Sequence, residues 1–134
     1  MLFRWQEATG KGSMKNPAEV DMTKDRFEKN RIWYSFQNGL LATQLNLQKS
    51  SVDMNFDSVN SVLSRNGPIW TAGYKTWDGA HGHVVVICGV ADTGVFIHDP
   101  EPMHKGSPMW LTWSQIKSYV DGVDDTDYKC LTAA

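Results

Sequence analysis

The chain has 134 residues, of which 41% are hydrophobic and 21% charged, and its formal net charge is −2. That length suits one domain with a core of its own, and the ordinary composition argues against a disordered or fibrous chain. No apolar run approaches the ~20 residues of a membrane span, and the lysines and arginines are scattered, so neither a membrane helix nor a nucleic-acid partner is expected.

Met1 to Ala8 has the residues of a buried helix that stops near Gly10 and Gly12. No Ser, Thr, Asp or Asn stands before it as an N-cap, and its apolar residues begin at the first position. The reading is of a helix whose earlier turns lie upstream; a helix fraying at a start methionine is the alternative. From Asn16-Pro17 the sequence is polar and helical in pieces, with Phe27, Trp33 and Phe36 as core anchors and Gly39 as the end of the segment. A helix over Asn55–Arg65 follows, because Phe56, Val59, Val62 and Leu63 recur at helical spacing and Asn66-Gly67-Pro68 is a strong stop.

Beyond Pro68 the residues read as strands, at Ile69 to Tyr74, His83 to Val90 and Val95 to His98, with a turn at Asp92-Thr93-Gly94. A short helix from Trp113 to Val120, capped by Thr112, and a last strand from Tyr128 to Leu131 complete the chain. Helices first and strands second define an α+β class, with N-terminal helices packed on a C-terminal antiparallel sheet.

One histidine opens a strand and one aspartate closes the next. If the strands pair as a hairpin, His83 and Asp99 become neighbours despite the residues between them. An imidazole used as a general base needs one nitrogen toward its nucleophile and the other N–H held by an acceptor, and Asp99 can be that acceptor. Register decides it, because residues directly opposite share a face only when the loop holds an odd number of residues or a bulge supplies the shift. Gly89 and Gly94 are the candidate bulge sites. A satisfied edge histidine and a turn-forming Asp-Pro are the bland reading of the same pair.

Three runs carry a resemblance: Gly67-Pro68-Ile69-Trp70-Thr71-Ala72-Gly73, Gly82-His83-Val84-Val85-Val86 and Val95-Phe96-Ile97-His98-Asp99-Pro100. Together they resemble the papain-like cysteine peptidases of bacteria, in particular the bacteriocin-processing peptidase domains of export transporters and the papain-like effector proteases of pathogens. The resemblance implies a single papain-like domain over residues 1–134, with His83 as general base and Asp99 as its orienter. It implies no metal and no cofactor. It also implies a protein or peptide substrate, a delivered effector or toxin acting in the cytoplasm of a target cell, and an immunity protein as a possible partner. Trp70, Tyr74, Trp77 and Trp110 are the candidates for the substrate cleft, core packing being the plainer role for tryptophans.

In those families the nucleophilic cysteine opens the first long helix, where N-terminal N–H groups favour a thiolate. Here Met1-Leu2-Phe3-Arg4-Trp5 resembles the later turns of that helix, so the expectation is a domain truncated at its N-terminus, inactive as written, with a groove beside Trp5 facing His83. Cys88 cannot substitute: five residues along the same strand it points to the other face, about 16 Å from His83 at ~3.3 Å per residue. Cys130, on a C-terminal strand, has no helix dipole to lower its pKa. Two other readings stand beside this one. His81 and His83 with Asp99, His98 or His104 could hold a metal, although strand parity turns His98 away. A papain-like scaffold without a nucleophile could serve as a binding module.

Overall fold

The protein is described by a computed structural model at residues 2–20, 38–77, 81–101, 105–123 and 129–133. In chain order these form α1 (Leu2–Thr9), a 3-10 turn at Pro17–Glu19, α2 (Asn38–Leu45), β1 (Leu47–Lys49), α3 (Phe56–Asn66), β2 (Ile69–Lys75), β3 (His81–Ala91), β4 (Gly94–Asp99), β5 (Ser107–Thr112), α4 (Trp113–Asp121) and β6 (Cys130–Ala133). The six strands make one antiparallel sheet in the order β1-β6-β2-β3-β4-β5. The fold is α+β, as the order of helical and strand patterns implies, and is consistent with a papain-like domain.

Helix α3 starts where Asn55 Oδ1 accepts from the Ser58 N–H at 2.9 Å and ends at Gly67, whose φ of 77° closes the helix through a 3.0 Å bond to the Leu63 carbonyl. Gly67 has a second reason to lack a side chain, since the indole of Trp5 fills the space a Cβ would take. Helix α4 opens with a capping box in which Thr112 and Gln115 satisfy each other's backbone N–H groups. Pro17 begins its short turn behind the Asn16 cap, which is where proline's fixed φ and missing N–H cost least.

Gly39 does not end a helix, contrary to expectation; α2 runs through it. Leu41, Ala42 and Leu45 lie on its buried side, and burying each leucine contributes about 2 kcal/mol, more than the roughly 1 kcal/mol that a helical glycine costs. The expected anchors Phe27, Trp33 and Phe36, together with Tyr128, lie outside the described residues. Strands β1 and β5 carry no clean alternation of apolar and polar residues and went unread in the sequence.

The sheet separates two apolar layers. On one face Ile69, Val85, Ile87, Val95, Ile97 and Leu111 pack with Val59 and Val62 of α3 and Ile116, Tyr119 and Val120 of α4. On the other, Trp70 and Val86 pack against a smaller cluster built from Leu2, Met14, Leu41 and Leu45. Among the described residues no helix is long and apolar enough to cross a membrane.

Candidate active site

The position of His83 is set by the middle of the sheet. In β3 it pairs with Gly73 of β2, while Thr71 pairs with Val85. The Tyr119 hydroxyl from α4 lies 2.8 Å from both the Thr71 and the His83 carbonyl oxygens, so one phenol ties the backbone beneath the histidine to its neighbouring strand. Gly73 makes this possible, because a Cβ there would collide with the Tyr119 ring. Burial pushes the Tyr119 phenol far above its ordinary range, which keeps the hydroxyl a neutral donor.

Asp99 reaches the same face through a change of register. Near the turn at Asp92 and Thr93, Gly89 lies opposite Phe96 and Val90 opposite Val95; past a shift between Ile87 and Gly89, Ile87 lies opposite Ile97 and Val86 opposite His98. Cys88 is the extra residue. The two-residue turn alone would have put His83 and Asp99 on opposite faces, and the bulge corrects it. Neither Gly89 nor Gly94 is the inserted residue, although Gly89 adjoins it.

The result is a short contact, with His83 Nε2 2.6 Å from Asp99 Oδ1. Both oxygens of Asp99 are fully used. Oδ1 also accepts the Glu101 N–H at 2.9 Å, and Oδ2 accepts Trp77 Nε1 at 3.2 Å and Lys75 Nζ at 2.8 Å. Burial by itself would raise the Asp99 carboxyl; Lys75, the Glu101 N–H and His83 outweigh it and bring the pKa from 3.8 to about 2. At neutral pH Asp99 is therefore a carboxylate that can only accept, so Nε2 carries the hydrogen between them. The neutral imidazole then presents Nδ1 as its basic nitrogen.

Two further side chains complete the cluster. The aliphatic stem of Lys75 ends in an ammonium that also meets Glu101 Oε2 at 2.8 Å, and Glu101 Oε1 stands 3.5 Å from His83 Nδ1. Lys75 and Asp99 are each only 1% exposed, whereas Glu101 is 42% exposed. Burial pulls the Lys75 ammonium down, but the two carboxylates more than offset this and hold its pKa above the ordinary value. Neither Lys75, Glu101 nor Tyr119 was found by reasoning from sequence. Lys75 did leave a signal: it shares strand parity with Ile69 and Thr71, which puts a lysine on the inward face of a buried strand.

The four aromatic cleft candidates divide. Trp77 adjoins the dyad through its bond to Asp99 and packs its ring 5.4 Å from that of Tyr119. Trp70, Tyr74 and Trp110 have the opposite parity in their strands and point away from the His83 face. Trp70 packs against the smaller core cluster, and Trp110 packs at a tilt against Phe96 with ring centroids 5.2 Å apart. None of the three shares the strand parity of His83. A groove of about 510 Å³ lies beside Trp5 and is lined also by Leu63, Pro68, Cys88 and His98, but His83, which it was expected to face, is not among its lining residues.

Both cysteines are unbonded and poorly placed to serve His83. Cys88 sits at the bulge, burial raises its pKa, and its Sγ lies 3.6 Å from the Phe96 carbonyl oxygen. Cys130 pairs with Thr71 two strands from β3, roughly 12 Å from His83 by strand spacing and rise. Burial lifts its thiol to about 11. For the metal reading, ligand atoms of His83, Asp99 and Glu101 do lie within 4.8 Å of one another. The Lys75 ammonium already bridges both carboxylates, however, so a divalent cation would have to displace it. His98 lies on the far face, while His104 and the side chain of His81 lie outside the described part.

A histidine near the start of one strand lies beside the aspartate that closes the next, on an α+β frame consistent with a papain-like domain. The sequence profile described as papain-like cysteine protease AvrRpt2 matches residues 1–119, and the chain belongs to this family of papain-like cysteine proteases. Searches among curated proteins and among solved structures return no match.

Proposed function

We propose that His83 and Asp99 are the general base and its orienter in a Cys–His–Asp peptidase site whose thiol comes from outside these 134 residues. The observation that carries this is the 2.6 Å contact between Nε2 and an Asp99 carboxylate whose other acceptor positions are all filled. That arrangement fixes the ring and its tautomer. Family membership supplies the substrate class, a protein or peptide, and the two cysteines present are too distant or too buried to act.

The chemistry follows from the tautomer. A thiol brought to Nδ1 gives up its proton there, and the imidazolium that forms is stabilised by Asp99, which stays ionised. The thiolate attacks the scissile carbonyl carbon, the imidazolium returns the proton to the departing amine nitrogen, and the same Nδ1 then activates the water that hydrolyses the thioester. The likeness to secreted papain-like effectors favours a delivered protein that cuts a peptide or isopeptide bond in a target cell, with an immunity protein as partner if it acts as a toxin.

The experiment joins the chain to the coding sequence that precedes it and measures hydrolysis of peptide substrates. The expected product is an alkylation-sensitive hydrolase, with turnover lowered by a factor of about 10³ or more in His83→Ala. If no cysteine is encoded there, or if the extended protein carries one and stays inert, a papain-like binding module replaces the peptidase reading.

A further inference from the structure

The imidazole of His83 lies between two carboxylates, Asp99 at Nε2 and Glu101 at 3.5 Å from Nδ1, and the ammonium of Lys75 touches both at 2.8 Å. We infer that Lys75 is a positioning residue of this site, holding the Asp99 carboxylate against Nε2 so that the ring keeps its orientation when His83 carries its second proton. The inference rests on the peptidase reading for its purpose but on the described contacts for its geometry.

Lys75 is the cation that meets both carboxylates, at 2.8 Å from each. A general base must pass through the protonated imidazole, and an Asp99 carboxylate held beside Nε2 favours that state in a site where Lys75 and Asp99 are nearly inaccessible to water. Without Lys75, the two carboxylates would repel each other, and Asp99 Oδ2 would keep only the 3.2 Å bond from Trp77. The carboxylate could then turn away from Nε2. The Lys75 ammonium also stands 5.6 Å from the centroid of the Trp77 ring, so the indole that donates to Asp99 flanks the cation as well. A lysine kept only to fill space would be a poor choice here, because an apolar side chain of similar volume avoids the cost of desolvating an ammonium.

The test uses the 134-residue chain and needs no activity, so its failure is distinguishable from failure of the peptidase reading. Lys75→Met removes charge and donor; Lys75→Gln removes the charge but keeps an N–H donor and covers the case in which Lys75→Met does not fold. Two NMR signals are followed, the low-field Nε2–H proton of His83 and the carboxyl carbon of Asp99. In either folded variant the Asp99 midpoint should rise from about 2 by about one pH unit or more. The Nε2–H signal should broaden or move upfield, more in Lys75→Met than in Lys75→Gln. Both signals staying at their parent positions while only the melting temperature falls would reduce Lys75 to a structural residue. In a thiol-bearing active form, Lys75→Met should lower kcat at least tenfold with KM little changed, and an unchanged kcat would likewise overturn the assignment.

Discussion

His83 and Asp99 meet at 2.6 Å because Cys88 is bulged out of the strand between His83 and the turn. The inserted residue converts an odd register into an even one, and with it the face on which Asp99 emerges. Deleting Cys88 should therefore separate the dyad, whereas Cys88→Ala, which keeps the bulge, should leave it intact. The deletion also turns Ile97 or Ile87, both fully buried, out of the core, so a loss of several kcal/mol is expected against less than about 1 kcal/mol for the substitution. The low-field His83 proton and a urea titration read both effects. A deletion variant that keeps the proton signal would mean the turn had lengthened to restore register.

Acid stability should report on Asp99. Its carboxyl ordinarily titrates near 3.8 and in the folded protein at about 2, so the stabilisation from its charge is complete above about pH 4 and fades as pH falls toward 2. The full increment is about 2 kcal/mol, of which roughly 1 kcal/mol disappears between pH 6 and pH 3. Asp99→Asn removes this increment, leaves Lys75 undercompensated, and should flatten the pH dependence over that window by the same amount. Equal losses in parent and variant, measured by urea unfolding at the two pH values, would show that Asp99 is not held near 2.

Much of the frame was legible because strong local signals agree with the tertiary structure. Phe56, Val59, Val62 and the Asn66-Gly67-Pro68 stop mark α3 to within a residue, and the β-branched run after His83 marks β3. The dyad was legible only as a condition on register, since parity does not reveal which residue will bulge. What stayed hidden is of another kind. Lys75, Glu101 and Tyr119 reach the site from three different segments, and a lysine or tyrosine carries no pattern that names its partner. Gly39 misled because the usual helix-stopping tendency of glycine was outweighed by burial of the leucines that follow it.

Gly73 and Tyr119 form the support under His83 and can be tested separately. Gly73→Ala places a methyl against the Tyr119 ring and should cost about 2 kcal/mol or more, since neither the strand nor the buried ring has room to yield. Tyr119→Phe keeps the packing and removes only the hydroxyl shared by the Thr71 and His83 carbonyls, for about 1 kcal/mol. Urea midpoints in the order parent, Tyr119→Phe, Gly73→Ala are expected. Were Gly73→Ala the milder change, the close approach of α4 to the strand carrying Gly73 would be wrong.

Thiol reactivity separates the two cysteines present from any catalytic one. The Cys130 thiol is buried and held at about 11, and burial raises that of Cys88 as well. At pH 7.5 a thiol of pKa 11 is ionised to roughly 0.03%, against about 10% for an ordinary cysteine, and alkylation proceeds through the thiolate. In the native 134-residue chain Cys130 should therefore react with iodoacetamide at least 100-fold more slowly than a free thiol, and it should become fast in urea. Replacing both residues by serine should then leave the alkylation-sensitive turnover of an active extended protein unchanged. If Cys130→Ser abolished that turnover, or if Cys130 proved fast in the native chain, the nucleophile would lie within the described fold, and His83 would have to serve it through an arrangement different from this one.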